Sequence, residues 1–164
     1  MLILGLDPGS RHTGYGLVEA RGGSLEAIDF GRISCPASRP VPQRLAEMAR
    51  QLAELVERRQ PDVAVLETPF HGLNTRSLVV LAQARGALLA VLAARGLEIG
   101  EYSPAEVKNA VTGQGRASKE QVARMVRIHL SLVDTDLSED ASDALAMAIC
   151  FAQRYRMDRL TTDR

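Results

Sequence analysis

LILGLDPGSRHTGYG, residues 2–16, runs from an unbroken apolar segment into one carboxylate, Asp7, and then into a turn rich in glycine. An apolar run of this length, halted by Pro-Gly, reads as a buried strand, and Asp before Pro-Gly is ordinary turn chemistry. Working outward, GYGLVEA and LEAIDFGRISC follow, separated by RGGS, whose paired glycines suit a tight hairpin. The chain therefore begins as an antiparallel three-stranded meander. A proline-marked loop, PASRPVP, leads into QRLAEMARQLAELVERR, where Leu45, Met48, Leu52, Leu55 and Val56 recur at helical spacing. VAVLE then repeats the opening pattern: an apolar strand, an acid at its end (Glu67), and a proline, Pro69, just beyond.

Residues 74–95, NTRSLVVLAQARGALLAVLAAR, form one long helix that is apolar on nearly every side from Leu78 to Ala94. One small domain rarely covers every face of such a helix, which predicts a second copy of the chain packed against it. LEIGEYS supplies the last strand, SPAEVKNAVTG a short helix opening with Ser-Pro, and GQGRA a loop. SKEQVARMVRIHL is a helix capped by Ser118, with Val122, Met125, Val126 and His129 on one face. EDASDALAMAICFAQRYR is a final apolar helix whose acids sit in its first turns. The pattern predicts one domain over residues 1–156 and a frayed tail, MDRLTTDR, over 157–164. The order βββαβαβ followed by helices predicts an α/β fold with a mixed sheet and helices on its faces.

Composition bounds the possibilities. At 164 residues, 46% hydrophobic and 24% charged, the chain has the make-up of one globular domain, and with three Phe, three Tyr and no Trp its core is aliphatic. The opening segment has no basic leader and its apolar run is short for a signal peptide or membrane span, so the expectation is a cytoplasmic protein with no membrane attachment. Cys35 and Cys150 stand far apart with no metal-ligand spacing around them, which predicts buried free thiols. Twenty bases balance twenty acids, yet they are segregated. Residues 68–97 hold Arg76, Arg85 and Arg95 and no acid; 108–127 hold five bases and Glu120 alone; 129–143 hold Asp134, Asp136, Glu139, Asp140 and Asp143 and no Lys or Arg. Such segregation sets a positive field beside a negative one.

Asp140 and Asp143 sit three apart on one helix face, and Asp143, flanked by Ala141, Ala144 and Leu145, needs something positive opposite it. Asp7 and Glu67 stand at the ends of strands that can be neighbours, and four acids brought together would raise one another's pKa unless a cation neutralised them. Magnesium or manganese suits carboxylate and water ligands, and two such ions about 4 Å apart form the known clamp for phosphodiester hydrolysis. Gly14 and Gly16, lacking side chains, are expected to leave room for a phosphate backbone.

DPGSRHTGYG after an apolar strand, VLETPF, LAQARG, VKNAVTGQGRASKEQV and DASDALAMA, in that order over Leu2 to about Arg154, resemble the RuvC family of Holliday-junction resolvases. The resemblance implies a ribonuclease H-like five-stranded mixed sheet with helices on both faces. It places the catalytic, metal-holding acids on Asp7, Glu67, Asp140 and Asp143, with Mg2+ as cofactor, two ions per site, and Mn2+ able to substitute. The resemblance further implies that Asp7 bridges the two ions. It puts Phe70 at the junction centre, where an aromatic ring can stack on an unpaired base, and Lys108 and Lys119 beside the scissile phosphate. Asn74, Arg76, Ser77 and Arg116 fall on DNA-facing loops and helix starts, and His71 approaches DNA, whereas His12 and His129 are surface and packing residues. Asp136 and Glu139 read as a solvated acidic turn.

The activity implied is a magnesium-dependent, structure-selective endonuclease that resolves four-way junctions by paired symmetric nicks, leaving 5′-phosphate and 3′-hydroxyl ends, in recombination and repair. A homodimer and the branch-migration proteins RuvA and RuvB are the implied partners. Three other readings compete. YqgF-type nucleases share the first motif but not the DASDALAMA ending or the LAQARG helix. An actin-like or sugar-kinase ATPase would need a second lobe and phosphate loop, and a junction-binding module without activity would not need all four acids.

Overall fold

A computed structural model describes residues 1–9, 11–68, 75–132 and 135–162; for residues 75, 76 and 159–162 it describes the backbone. In chain order the elements are β1 (Leu2–Pro8), β2 (His12–Arg21), β3 (Ser24–Ser34), α1 (Val41–Arg59), β4 (Val63–Glu67), α2 (Thr75–Ala94), β5 (Glu98–Tyr102), α3 (Pro104–Thr112), α4 (Lys119–His129) and α5 (Glu139–Thr162). The five strands form one sheet in the order β3-β2-β1-β4-β5. The first three are the predicted meander, turning at Gly22 and Gly23, both of which adopt positive φ. β4 and β5 join parallel to β1, each reached by a helical crossover.

Alternation along the strands divides the interior into two layers. Leu4, Leu6, Leu17, Ala64 and Leu66 point to one face, where Met48, Leu52, Leu55 and Val56 of α1 and Leu88 and Leu92 of α2 cover them. Ile3, Val18, Val63 and Val65 point to the other, beneath Val107 and Val111 of α3, Val122 and Val126 of α4, and the run Leu145–Ala152 of α5. Burying either set at about 25 cal/mol per Å² is the main stabilising contribution, and each layer needs the alternation to stay in phase. Cys35 and Cys150 are free and buried, one thiol in each half of the chain.

The α5 helix lies directly on β1 and β2, and glycine is the reason it can. A Cβ built on Gly5 would sit 1.9 Å from the carbonyl oxygen of Ala144, one on Gly14 1.9 Å from that of Asp140, and one on Gly16 2.7 Å from the Leu145 side chain. Gly14 and Gly16 are therefore covered by a helix, and the space the sequence pattern assigns to a phosphate backbone is already filled by α5.

One boundary differs from expectation. α5 runs to Thr162 rather than fraying after Arg156. MDRLTT contains no Gly or Pro to stop it and good helix formers to carry it on, so the helix propagates into the expected tail. α2 is apolar as predicted, and its Ser77–Ala94 window is long and apolar enough to cross a membrane by length and composition alone. Its inner face nevertheless belongs to this fold: Ala84, Leu88 and Leu92 are buried, and Arg85, 8% exposed, pairs with Glu101 of β5. Val79, Ala82, Gln83, Gly86, Ala90 and Ala93 form its outer stripe and are exposed.

Candidate active site

One row across the sheet lays the foundation of the site. In the strand register Arg32 of β3 pairs with Gly14 of β2, and Gly14 pairs with Asp7 of β1. Leu6 pairs with Leu66, so Asp7 and Glu67 end adjacent parallel strands, and Glu67 pairs with Tyr102 of β5. Asp7 and Glu67 share the phase of Val65 and Ile3, which puts both carboxylates on the α5 side. Just past Glu67, Thr68 donates its N–H to the Tyr102 carbonyl at 2.8 Å, holding the end of β4 against β5.

Above this row is a cavity of about 250 Å³ lined by Asp7, Glu67, Lys108, Lys119 and Asp143, with Pro104, Val107, Val122, Ala146 and Met147 as an apolar wall. Three helices contribute. α3 opens with a capping box in which the Ser103 side chain accepts from the Glu106 N–H and Glu106 accepts from the Ser103 N–H at 2.9 Å, and it carries Lys108 one turn on. α4 opens with the same device built from Ser118 and Gln121, which places Lys119 at its first residue. α5 begins at Glu139, directly after Ser138, whose hydroxyl accepts from the Ala141 N–H at 3.3 Å, and it delivers Asp140 and Asp143.

Lys119 answers the need for a positive group opposite Asp143: its Nζ stands 3.4 Å from Oδ2. Asp140 behaves differently from its neighbour. It is not in the cavity lining but faces Arg32, whose Nη1 lies 3.6 Å from its Oδ2. Arg32 has no place in any sequence motif, because it reaches the site only through the pairing of β3 with β2 beneath the first turn of α5.

The electrostatics are those of crowded acids. Burial, then the charges of Asp143, Glu67 and Asp140, push the Asp7 carboxyl up to about 7, against a lowering effect of Lys119. Glu67 is raised by burial and by Asp143, with Lys119 and Lys108 opposing, and Asp143 is raised by burial with Lys119 opposing. Lys119 is itself held protonated, chiefly by Asp143. As placed, no three His, Cys, Asp or Glu side chains among the described residues form a group that could hold a metal. The donor set is nonetheless one of hard oxygens without thiol or imidazole, and its mutual repulsion is what an incoming divalent cation would relieve.

Of the residues expected to face DNA, Lys108 and Lys119 are brought to the acids, while Arg116 is exposed on the α3–α4 loop outside the cavity lining. Ser77 is exposed on the first turns of α2, where Arg76 is also placed by its backbone. Phe70, His71 and Asn74 lie outside the described residues. His12 bonds Ser34 through Nδ1 at 3.1 Å, and His129 Nε2 lies 2.9 Å from the Val111 carbonyl, so both have structural partners.

The chain is similar to known proteins over nearly its whole length. The family model for crossover junction endodeoxyribonuclease RuvC matches residues 3–151. The RuvC of Dehalococcoides mccartyi is 45% identical over 99% of this chain and 98% of its own, and that of Moorella thermoacetica is 46% identical over 93% and 91%. Among solved structures, Thermus thermophilus RuvC in complex with a Holliday junction substrate superposes with a TM-score of 0.90 at 30% identity, covering 96% of each chain. A yeast mitochondrial Holliday junction resolvase, 12% identical with a TM-score of 0.71, shares the fold. The mixed sheet is thus the ribonuclease H-like one, and this chain belongs to the RuvC family of crossover junction endodeoxyribonucleases.

Proposed function

We propose that this protein resolves four-way DNA junctions by hydrolysing one phosphodiester bond in each of two strands of like polarity. The observation that carries the reading is the convergence of Asp7, Glu67 and Asp143 on one cavity bordered by Lys108 and Lys119, a negative floor with a positive rim. Asp7, Glu67 and Asp143, joined by Asp140, would hold magnesium or manganese, which when bound supplies charge neutralisation at the phosphate and a more acidic water. Asp7, which feels the charge of all three other acids, would be the ligand common to that site. Lys108 and Lys119 draw the scissile phosphate to the rim and offset charge that builds on its oxygens as water attacks in line and the 3′ oxygen departs. The products are a 5′-phosphate and a 3′-hydroxyl.

Two matched nicks need two sites related by a two-fold axis, and the exposed apolar stripe of α2 from Val79 to Ala93 is a face on which a second copy can pack. Phe70, on the segment between Glu67 and α2, stacks on a base at the junction centre, and Asn74, Arg76, Ser77 and Arg116 contact the arms. Junction shape gives selectivity while phosphate contacts give affinity. In the cytoplasm the branch-migration proteins RuvA and RuvB would present the junction.

The test is a labelled synthetic four-way junction incubated with wild-type protein and with Asp7→Asn, in magnesium, in manganese and in chelator. Paired symmetric nicks that require both the ion and Asp7 are the expected result. Binding without cleavage under every ion would reject the enzymatic reading, and undiminished cleavage by Asp7→Asn would reject the assignment of the acids.

A further inference from the structure

Gly14 is a central-strand glycine with no turn to make. Its φ is not positive, unlike those of Gly22, Gly23, Gly96 and Gly113, so freedom of the backbone does not explain it. A glycine inside a strand costs stability relative to a residue with a side chain, which leaves the close approach of another backbone as its physical reason. That backbone is the first turn of α5. A Cβ at position 14 would lie 1.9 Å from the Asp140 carbonyl oxygen, 2.4 Å from its carbonyl carbon and 3.0 Å from its Cβ.

We propose that Gly14 is a positioning residue for the reaction: the missing side chain at this position sets how far the α5 carboxylates stand from Asp7. The inference rests on the reading of Asp7, Asp140 and Asp143 as joint holders of a divalent cation. Gly14 pairs with Asp7 across the β1–β2 ladder, so the spacer and the acid it serves are direct neighbours. Its obstacle is main chain, which cannot rotate aside. Alanine there would drive the α5 start outward by about 1 Å before the contact reached the 3.0 Å below which Cβ atoms are essentially never found. Asp140 rides on that turn and Asp143 follows one turn on. A shift of that size at a reacting centre costs on the order of a hundredfold in rate.

Gly16 supplies the contrast. Its added Cβ would meet the Leu145 side chain at 2.7 Å and the Leu145 main-chain nitrogen at 2.9 Å, farther along the helix from the first turn that carries Asp140. The loss of Leu145 branch atoms can absorb much of that clash, so Gly16→Ala combined with Leu145→Ala perturbs the same helix without lifting its acidic end.

The experiment measures, for wild type, Gly14→Ala and Gly16→Ala/Leu145→Ala, the rise in Tm produced by Mg2+ alone, the binding of a four-way junction in chelator, and the nicking rate across Mg2+ concentrations. Gly14→Ala is expected to bind the junction as wild type does. Its Mg2+ midpoint should rise about 10- to 100-fold in both the Tm and the nicking series, while the Gly16/Leu145 pair stays within about threefold of wild type. Adding Asp140→Glu, whose extra methylene extends the reach by about the distance lost, should recover at least part of the midpoint in the Gly14→Ala background. The same Asp140→Glu in the wild-type background should raise the midpoint about tenfold because the seat holds the helix down. That second arm decides the matter if Gly14→Ala does not fold. A Gly14→Ala midpoint equal to wild type, or an Asp140→Glu midpoint within threefold of it, would overturn the proposal. A wild type that neither gains Tm nor nicks with any divalent ion would fail earlier, at the cation reading, and would take the spacing proposal with it.

Discussion

The carboxyl of Asp7, pushed up to about 7 first by burial and then by three acidic neighbours, sits well above the ordinary value of 3.8 that it regains when the chain unfolds. Linkage gives the sign. An acid whose folded pKa is raised prefers to be protonated in the fold, so it weakens the fold progressively as pH climbs from about 4 to about 7, and by a constant amount above. Asn removes the penalty without changing the shape. Asp7→Asn without divalent ions is expected to melt about 3 °C or more above wild type at pH 8, with the difference shrinking to nothing near pH 4. Thermal melts over that range check it, and a variant no more stable than wild type at pH 8 would contradict the burial and repulsion assigned to Asp7. The wild-type sequence thus keeps at residue 7 a group that harms the resting fold, as sites organised around an absent ligand do. Sequence showed the four acids and even the isolation of Asp143, because isolated carboxylates among Ala and Leu are conspicuous. It did not show that Lys119 answers Asp143 or that Arg32 faces Asp140, because both pairs join segments that only tertiary structure brings together.

At the level of elements, the helix starts aim the chemistry. Lys119 is the first residue of α4, directly after the Ser118 cap, so its base is fixed by the capping box rather than by packing. Ser118→Ala leaves Gln121 without its reciprocal partner and is expected to cost about 1 kcal/mol, seen as a fall in Tm of roughly 3 °C. Nicking should fall with it, by a few-fold, while Ser103→Ala, which caps α3 a full turn ahead of Lys108, lowers Tm with less effect on rate. Equal rate losses from both substitutions would argue that capping acts on overall stability alone. Periodicity made most elements legible, since a half-buried strand and a two-faced helix carry their burial in the spacing of apolar residues. The extension of α5 and the covering of Gly14 and Gly16 were not legible. A glycine records that something comes close but not what, and here the closest approach is the protein's own helix.

For the whole molecule, the two layers and the five-stranded order follow from the meander, the repeated strand-then-acid pattern and the alternation that separates Leu4 and Leu6 from Ile3. The proposed dimer contact falls on α2. Gly86 lies on its exposed stripe, and a Cβ there would meet nothing within 4 Å, so a single chain should accept any side chain at that position. Gly86→Arg is therefore expected to fold normally by circular dichroism and, on the reading of α2 as a two-fold contact, to sediment as a monomer at micromolar concentration. A Gly86→Arg protein that remains a dimer would move the contact elsewhere. Arg85, one position before and about 100° around the helix, is buried and paired with Glu101 of β5, which fixes the rotation of the helix and hence which residues face outward.

Asp7 and Glu67 occupy odd steps of two parallel strands whose even steps, Leu4, Leu6, Ala64 and Leu66, belong to the layer under α1 and α2. Insertions and deletions should accordingly be tolerated by parity. Lengthening β1 by a single residue ahead of Asp7 would invert every side chain that follows and carry the acid into the aliphatic layer, against Met48, Leu52, Leu55 and Val56 of α1 and Leu88 and Leu92 of α2. A two-residue change would preserve the side and displace the acid along it. In descendants of this chain, the distance from Leu2 to Asp7 can therefore drift only in steps of two.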